Sequence, residues 1–348
     1  LAGLAICFAG VSGGFAANIL LSTADPLLSG ISQEAARILN KDYIVTPVSN
    51  WYFMATSSIL IVGVGTFIAN KITIPFLGDY KGDVPRSQLI NLTGEEKRGL
   101  LWAAVVTLFL ILFLVLGLVP IDGYLRDPAS PDVLHSAALK GVVAIIFLFG
   151  ALPGLAYGFA SKTFKGQNDV MNAMQDAMVT MAPYLVLVFF ASQFITLFNH
   201  SNMGLILAVK GSEMLKASGL GSIPLMLGFI LLTVVLDLVI GSASAKWVLM
   251  APIFVPMFML LGISPELTQA SYRVADSVVN IISPLMSYFP LILSFAIKYE
   301  PRAKVGTVIA LMLPYSIGFL ISWSIMLLIW MGMDLPLGPG AALKYLAP

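Results

Sequence analysis

Gly241-Ser242-Ala243-Ser244-Ala245-Lys246-Trp247 is the stretch on which the fold turns. It joins two apolar windows, 223–240 and 248–261. The second is too short to cross a hydrocarbon core of about 30 Å comfortably. Two apolar arms meeting at a small, polar, glycine-containing tip predict a re-entrant helical hairpin, because non-helical backbone is tolerated at membrane depth where protein or water covers it.

Working outward, further apolar windows fall at 2–28, 51–69, 100–119, 141–160, 180–198, 267–297 and 307–331. Of the 348 residues, 58% are hydrophobic and 11% charged, and the mean hydropathy is +0.93. Ordinary soluble domains carry about 25% charged residues, and a chain of this size still has a large surface to wet. Composition therefore excludes a soluble enzyme, a disordered chain and a disulfide scaffold. A net charge of +1 offers no footprint for nucleic acid. The single cysteine, Cys7, excludes an internal disulfide and a cysteine-based metal site. The fold class is an all-α polytopic membrane protein.

Basic residues test the hairpin. If its arms return to one face, ten lysines and arginines share one side of the membrane: Lys71, Lys81, Arg86, Lys97, Arg98, Lys162, Lys165, Lys298, Arg302 and Lys304. Seven lie on the other: Arg37, Lys41, Arg126, Lys140, Lys210, Lys216 and Lys344. A full crossing at 223–240 would move the Lys298–Lys304 loop across and remove the bias. The hairpin therefore enters from outside.

This reading divides the chain into 1–69, a broken helix and the helix after it; 70–98, a cytoplasmic loop; 99–219, scaffold and connecting helices; 220–264, the hairpin; and 265–348, a second broken helix, the last helix and a tail. Thr93-Gly94-Glu95-Glu96 has the capping-box pattern that starts a helix. Residues 169–181 are amphipathic and are expected along the interface before the chain dives. Asn91-Leu92-Thr93 matches a glycosylation acceptor, fortuitously if the loop is cytoplasmic. The chain begins at Leu1 inside an apolar run with no basic n-region, so 1–28 is not a signal peptide. The expectation is that the N-terminal part of a longer protein is missing.

Charges inside a bilayer demand a reason, since each costs about 2.5–3.5 kcal/mol at mid-depth on insertion scales. Asp25 and Asp237 lie near segment ends, where snorkelling competes with a functional role. Lys246 sits at the hairpin tip, where solvation alone would account for it. Arg273 and Asp276 are three apart on one helix face and can pair. They form either a self-neutralising ion pair or a protonatable carboxylate beside an arginine able to clamp an anion bidentately. Downstream, Asn280-Ile281-Ile282-Ser283-Pro284 interrupts the same segment, and proline frees a carbonyl. Gly10-Val11-Ser12-Gly13-Gly14 and Asn18 interrupt the first segment similarly, although small residues also mark close helix packing. Broken helices facing a hairpin tip build midplane sites in transporters with inverted repeats, and an aromatic stretch after each break (Trp51-Tyr52-Phe53 and Tyr288-Phe289) supports two related halves.

The remaining motifs are mute. His135 and His200 have no metal-ligand partner at motif spacing. There is no Walker A sequence, and Gly63-Val64-Gly65 lacks the context of a nucleotide loop. No Ser–His–Asp set supports an intramembrane hydrolase.

Longer runs carry a resemblance. Phe8-Ala9-Gly10-Val11-Ser12-Gly13-Gly14-Phe15-Ala16-Ala17-Asn18 leading to Asp25, and Asn50-Trp51-Tyr52-Phe53-Met54-Ala55, resemble the p-aminobenzoyl-glutamate transporter (AbgT) family. So do the run 251–262 from Ala251-Pro252-Ile253 to Leu261-Gly262, Arg273-Val274-Ala275-Asp276-Ser277 and Leu313-Pro314-Tyr315. The likeness covers the whole chain; family members extend further upstream, with an earlier hairpin. It implies a homodimeric transporter of the bacterial inner membrane that takes up p-aminobenzoyl-glutamate or exports sulfonamides as an antiporter, using the proton motive force, with no cofactor and no nucleic-acid partner. Residues matching the family's functional positions are Asp25, Ser244, Trp247, Pro265, Arg273 and Asp276. By that resemblance Trp247 stacks on an aromatic substrate ring, Arg273 binds a carboxylate or sulfonyl oxygen, and Asp25 or Asp276 carries the proton. Lys246 has no role assigned by it. The competing reading of Trp247 is an interfacial belt residue.

Three rivals are set against this. A sodium-coupled carboxylate symporter would use Ser242, Ser244 and Asn280 as sodium ligands. An intramembrane enzyme acting on a lipid-linked substrate would turn over without a gradient. A channel would need a carbonyl-rich filter that the tip lacks.

Overall fold

The computed structural model describes residues 1–78, 92–120, 122–126, 138, 141–286 and 288–346. Most of the expected cytoplasmic loop, with Asn91, Lys81 and Arg86, lies outside the described residues, as do His135 and Lys140. The chain divides into two compact units, Leu1–Val84 with Phe190–Pro348, and Pro85–Phe189.

The second unit is built on α5 (Gly94–Leu118) and α6 (Val142–Ala160), which pack along each other. Its start follows the sequence: Thr93 Oγ1 accepts from the Glu96 amide at 3.2 Å, and Glu96 Oε2 accepts from the Thr93 amide at 2.7 Å. Gly99 lets the helices close, since a Cβ there would lie 2.9 Å from the Tyr157 ring. Leu101, Leu108 and Phe109 of α5 point outward, as lipid-facing residues do. Residues 169–181 do not form a separate interfacial element. They belong to α7 (Gln167–His200), a continuous 34-residue helix in which the boundary between units falls. Uninterrupted backbone hydrogen bonding outweighs the change from amphipathic to apolar composition.

In the larger unit, α1 (Ala2–Phe8) widens into a π-helical turn at Ala9–Gly13 and stops. Helix resumes at α2 (Ala24–Ala36). α3 (Trp51–Ile68) continues through a second π turn, Ala69–Thr73, into α4 (Ile74–Leu77). Then follow α8 (Met203–Ala217), α9 (Ser222–Asp237), α10 (Ala243–Met259), α11 (Pro265–Val279), α12 (Phe289–Tyr299) and α13 (Val305–Gly332). Helices end at Gly13 and Val279 and resume at Ala24 and Phe289. Among the described residues three helical stretches are long and apolar enough to cross a membrane: Trp51–Leu77, Gly94–Leu118 and Val305–Gly332.

α3 and α13 lie against each other through small residues. A Cβ on Gly318 would come within 2.5 Å of Ile68 Cδ1, and one on Gly65 within 3.4 Å of the Phe319 ring. Gly65 is thus a packing glycine inside a helix. Trp323 Nε1 closes the seam by donating to Ser57 Oγ at 2.7 Å.

The centre of the unit is α11, all 15 of whose residues are buried. It is a polar helix, with Glu266, Thr268, Gln269, Ser271, Arg273, Asp276 and Ser277 among them. Ser264 caps it by accepting from the Leu267 amide at 3.1 Å, and Pro265 occupies the first turn, where its missing donor costs nothing. α9 and α10 each pack on α11, as do α2 and α13. The two arms around residues 238–242 therefore flank a polar helix.

Candidate substrate and ion site

Two clusters of charge meet along α11. In the first, Arg273 Nη1 donates to Asp25 Oδ1 at 2.7 Å, and Nη2 donates to the Ala16 carbonyl and Asn18 Oδ1, each at 3.1 Å. The Ala16 carbonyl is free because the chain leaves helical geometry after Gly13. Asp25 Oδ2 accepts from the Ser22 amide at 2.6 Å, Ser22 Oγ at 2.9 Å and Asn18 Nδ2 at 2.8 Å. Ser277, one turn beyond Arg273, accepts from the Ala16 amide at 3.0 Å. The break at 14–23 thus wraps its polar groups around one guanidinium. Arg273 Nε is buried and has no hydrogen-bond partner.

In the second cluster, Lys246 Nζ lies 2.8 Å from Asp276 Oδ1 and also contacts Asp237 Oδ1. Tyr272, a turn before Asp276, donates to the Ala243 carbonyl, lies 3.2 Å from Asp276 Oδ1 and turns its ring toward the ammonium at 5.7 Å. Trp247 stacks on Tyr272, with ring centroids 4.4 Å apart. Its Nε1 donates to Ser32 Oγ at 3.0 Å. From Ser32 a chain of hydrogen bonds runs through Gln269 and Asn50 to the Glu266 carbonyl.

These contacts correct several expectations. Arg273 and Asp276 do not pair: three residues of helix turn them toward different neighbours, Asp25 on α2 and Lys246 on α10. Asp25, Asp237 and Lys246 are not snorkelling or solvated, with at most 2% exposure each. Each has a partner of opposite charge, which is the condition for burying an ion. Trp247 is no belt residue, and in this conformation its face is occupied by Tyr272 rather than open to a substrate.

Other candidates are placed less centrally. Pro265 starts α11, about 12 Å along the axis from Arg273 at 1.5 Å per residue. Ser244 is half-buried, 3.5 Å from the exposed Ser242, which caps α10. Asn280 and Ser283 are buried and Pro284 is exposed. Among the described residues no hydrogen bond joins Asn280 to either serine. Ser12 is buried, and Gly13 and Gly14 serve packing: a Cβ on Gly13 would meet Phe319 at 3.0 Å, and one on Gly14 the Gly10 carbonyl at 2.7 Å.

Sequence reasoning left out Tyr272 and underrated Asp237. Tyr272 precedes Asp276 by four residues and so shares its face. Asp237 and Lys246 stand on either side of the connection between α9 and α10, both of which pack on α11. Gly241 holds that connection in place. Its Cβ would lie 2.9 Å from the Leu285 carbonyl oxygen, so the tip backbone touches the 280–288 break. Gly241→Ala is expected to lower the melting temperature, corresponding to about 1–3 kcal/mol of overpacking. Gly30→Ala, where a Cβ meets nothing within 4 Å, should cause no loss.

A profile of the AbgT transporter family matches residues 1–345. The chain belongs to the AbgT transporter family. This AbgT transporter is 44% identical over 340 residues to the p-aminobenzoyl-glutamate transport protein of Escherichia coli K12, covering 98% of this chain and 67% of the relative. It superimposes on the YdaH transporter of Alcanivorax borkumensis with a TM-score of 0.92 and 45% identity, over 97% of this chain and 72% of that one. With MtrF of Neisseria gonorrhoeae, described as illuminating a class of antimetabolite efflux pumps, the TM-score is 0.89 and the identity 49%, over 98% and 68%. It is an all-helical, multi-pass membrane transporter, not an enzyme.

Proposed function

We propose that this AbgT transporter is a secondary active transporter of p-aminobenzoyl-glutamate-like or sulfonamide small molecules, driven by the proton motive force. It works as a homodimer in the bacterial inner membrane, with 220–264 as a re-entrant hairpin and its broken helices related as inverted repeats. The observation that carries this reading is the buried Arg273 guanidinium, held by Asp25 at the edge of a helix break and with Nε unpartnered. A planar guanidinium fork suits a carboxylate or sulfonyl group. Support also comes from the names of the relatives, one a p-aminobenzoyl-glutamate transport protein and one an antimetabolite efflux pump.

The geometry suggests how an anion and a proton are linked. A substrate carboxylate that takes the fork from Asp25 leaves that carboxyl buried without its cation, and an isolated buried carboxylate takes up a proton instead. Substrate and proton then bind together, as uptake by symport requires; export by antiport requires instead that they take turns at Asp25 and Arg273. Movement of the tip that unstacks Trp247 from Tyr272 would open an indole face to the substrate ring.

The test is transport in proteoliposomes of the full-length protein, using labelled p-aminobenzoyl-glutamate and a sulfonamide under imposed proton or sodium gradients. Movement should follow the proton gradient and be lost in Asp25→Asn, which no longer exchanges a charge with Arg273. Movement that followed sodium and ignored both Asp25→Asn and Asp276→Asn would sink the proposal.

A further inference from the structure

Among the described residues six buried ionisable side chains line α11 and its neighbours: Asp25, Asp237, Lys246, Glu266, Arg273 and Asp276, with Glu266 at the far end of the helix from the others and bonded to Tyr43. Arg273 with Asp25 is balanced, whereas Lys246 alone faces two carboxylates. Both of those carboxylates are at most 2% exposed, and Asp237 Oδ2 has no hydrogen-bond partner. The ammonium also lies toward the Tyr272 ring, a further surface that favours a cation. Two carboxylates from different helices, an unpartnered acceptor and an aromatic face make a receptor for one small, hard monovalent cation.

We propose that the Lys246 ammonium is this protein's built-in cation, occupying a site between Asp237 and Asp276 that would otherwise hold sodium, so that the chain binds and transports without sodium. A lysine head group is a compact point charge whose three donors take oxygen ligands from several directions. It differs from an ion in being tethered, so it cannot leave with the substrate. Taking it away leaves two carboxylates uncompensated in a low-dielectric setting, which favours uptake of a proton and, at alkaline pH where protons are scarce, capture of a cation from solution. The inference deepens the transport reading above, but its binding arm does not depend on it.

The experiment is radioactive sodium binding at alkaline pH to the purified full-length protein, with choline as balancing cation. Wild type should show no saturable binding. Lys246→Ala should bind sodium about tenfold or more tightly than wild type, and the further change Asp237→Asn should abolish this. Saturable sodium binding by wild type that is lost in Asp237→Asn would overturn the proposal, as would a folded Lys246→Ala that binds none. Should Lys246→Ala fail to fold, wild-type melting curves decide: a temperature unchanged by sodium supports the tethered cation, and a sodium-dependent rise refutes it. In proteoliposomes, transport should be the same in sodium and choline. Absence of any transport would remove the functional reading while leaving the binding result intact.

Discussion

Arg273→Met is expected to abolish transport of carboxylate-bearing substrates and to destabilise the protein by about 3–5 kcal/mol, because it leaves a buried carboxylate without its cation. Asp25 would keep the Ser22 and Asn18 donors but lose the guanidinium at 2.7 Å. The Ala16 carbonyl and Asn18 Oδ1 would lose a donor as well. Combining Arg273→Met with Asp25→Asn removes the unpaired charge, so most of the melting temperature should return while transport stays absent. Return of transport together with the melting temperature would show that the pair is structural only. A single variant that keeps wild-type transport would dismiss the binding role, whatever its stability.

Trp247→Ala should be about as costly, near 3–5 kcal/mol for an aromatic side chain emptied from a packed interior. Trp247 is fully buried, stacks on Tyr272 and donates to Ser32. Its removal leaves a cavity beside the Lys246 cluster and a buried hydroxyl short of one donor. Trp247→Phe keeps an aromatic face against Tyr272 but no N–H, so it should recover part of the loss, short by about 0.5–1.5 kcal/mol for the hydrogen bond. Chemical denaturation followed by circular dichroism ranks the three proteins. Equal stability of Phe and Ala variants would mean that the stack contributes nothing and that Tyr272 is held by other contacts.

Much of the architecture was legible in local sequence because it depends on local chemistry. The Thr93–Glu96 capping box, the helix end at Gly13 and the one at Val279 each follow from a few adjacent residues with strong backbone preferences. The site was legible only as a set of residue types. Arg273 and Asp276 advertise a charged face, but spacing along one helix cannot say which neighbour reaches each of them. The partners are 248 residues away for Arg273 and 30 away for Asp276, on helices whose placement depends on tertiary packing. For the same reason Lys246 read as a solvated tip residue: a sequence shows that a glycine and two serines precede it, not that Gly241 presses the tip onto the backbone at Leu285. The seam between α3 and α13 was likewise hidden in plain glycines, whose close contacts to Ile68 and Phe319 belong to the partner helix.

α11 has a consequence for how the protein is made. A segment carrying Glu266, Gln269, Arg273 and Asp276 is a poor candidate for partition into lipid by the insertion machinery, since ionised groups at its centre each oppose release from the translocon. It acquires a favourable environment only when α2, α9, α10 and α13 already surround it. The last of these, α13, is also late in synthesis. α11 therefore lacks the α13 side of its surroundings until that later helix has been made.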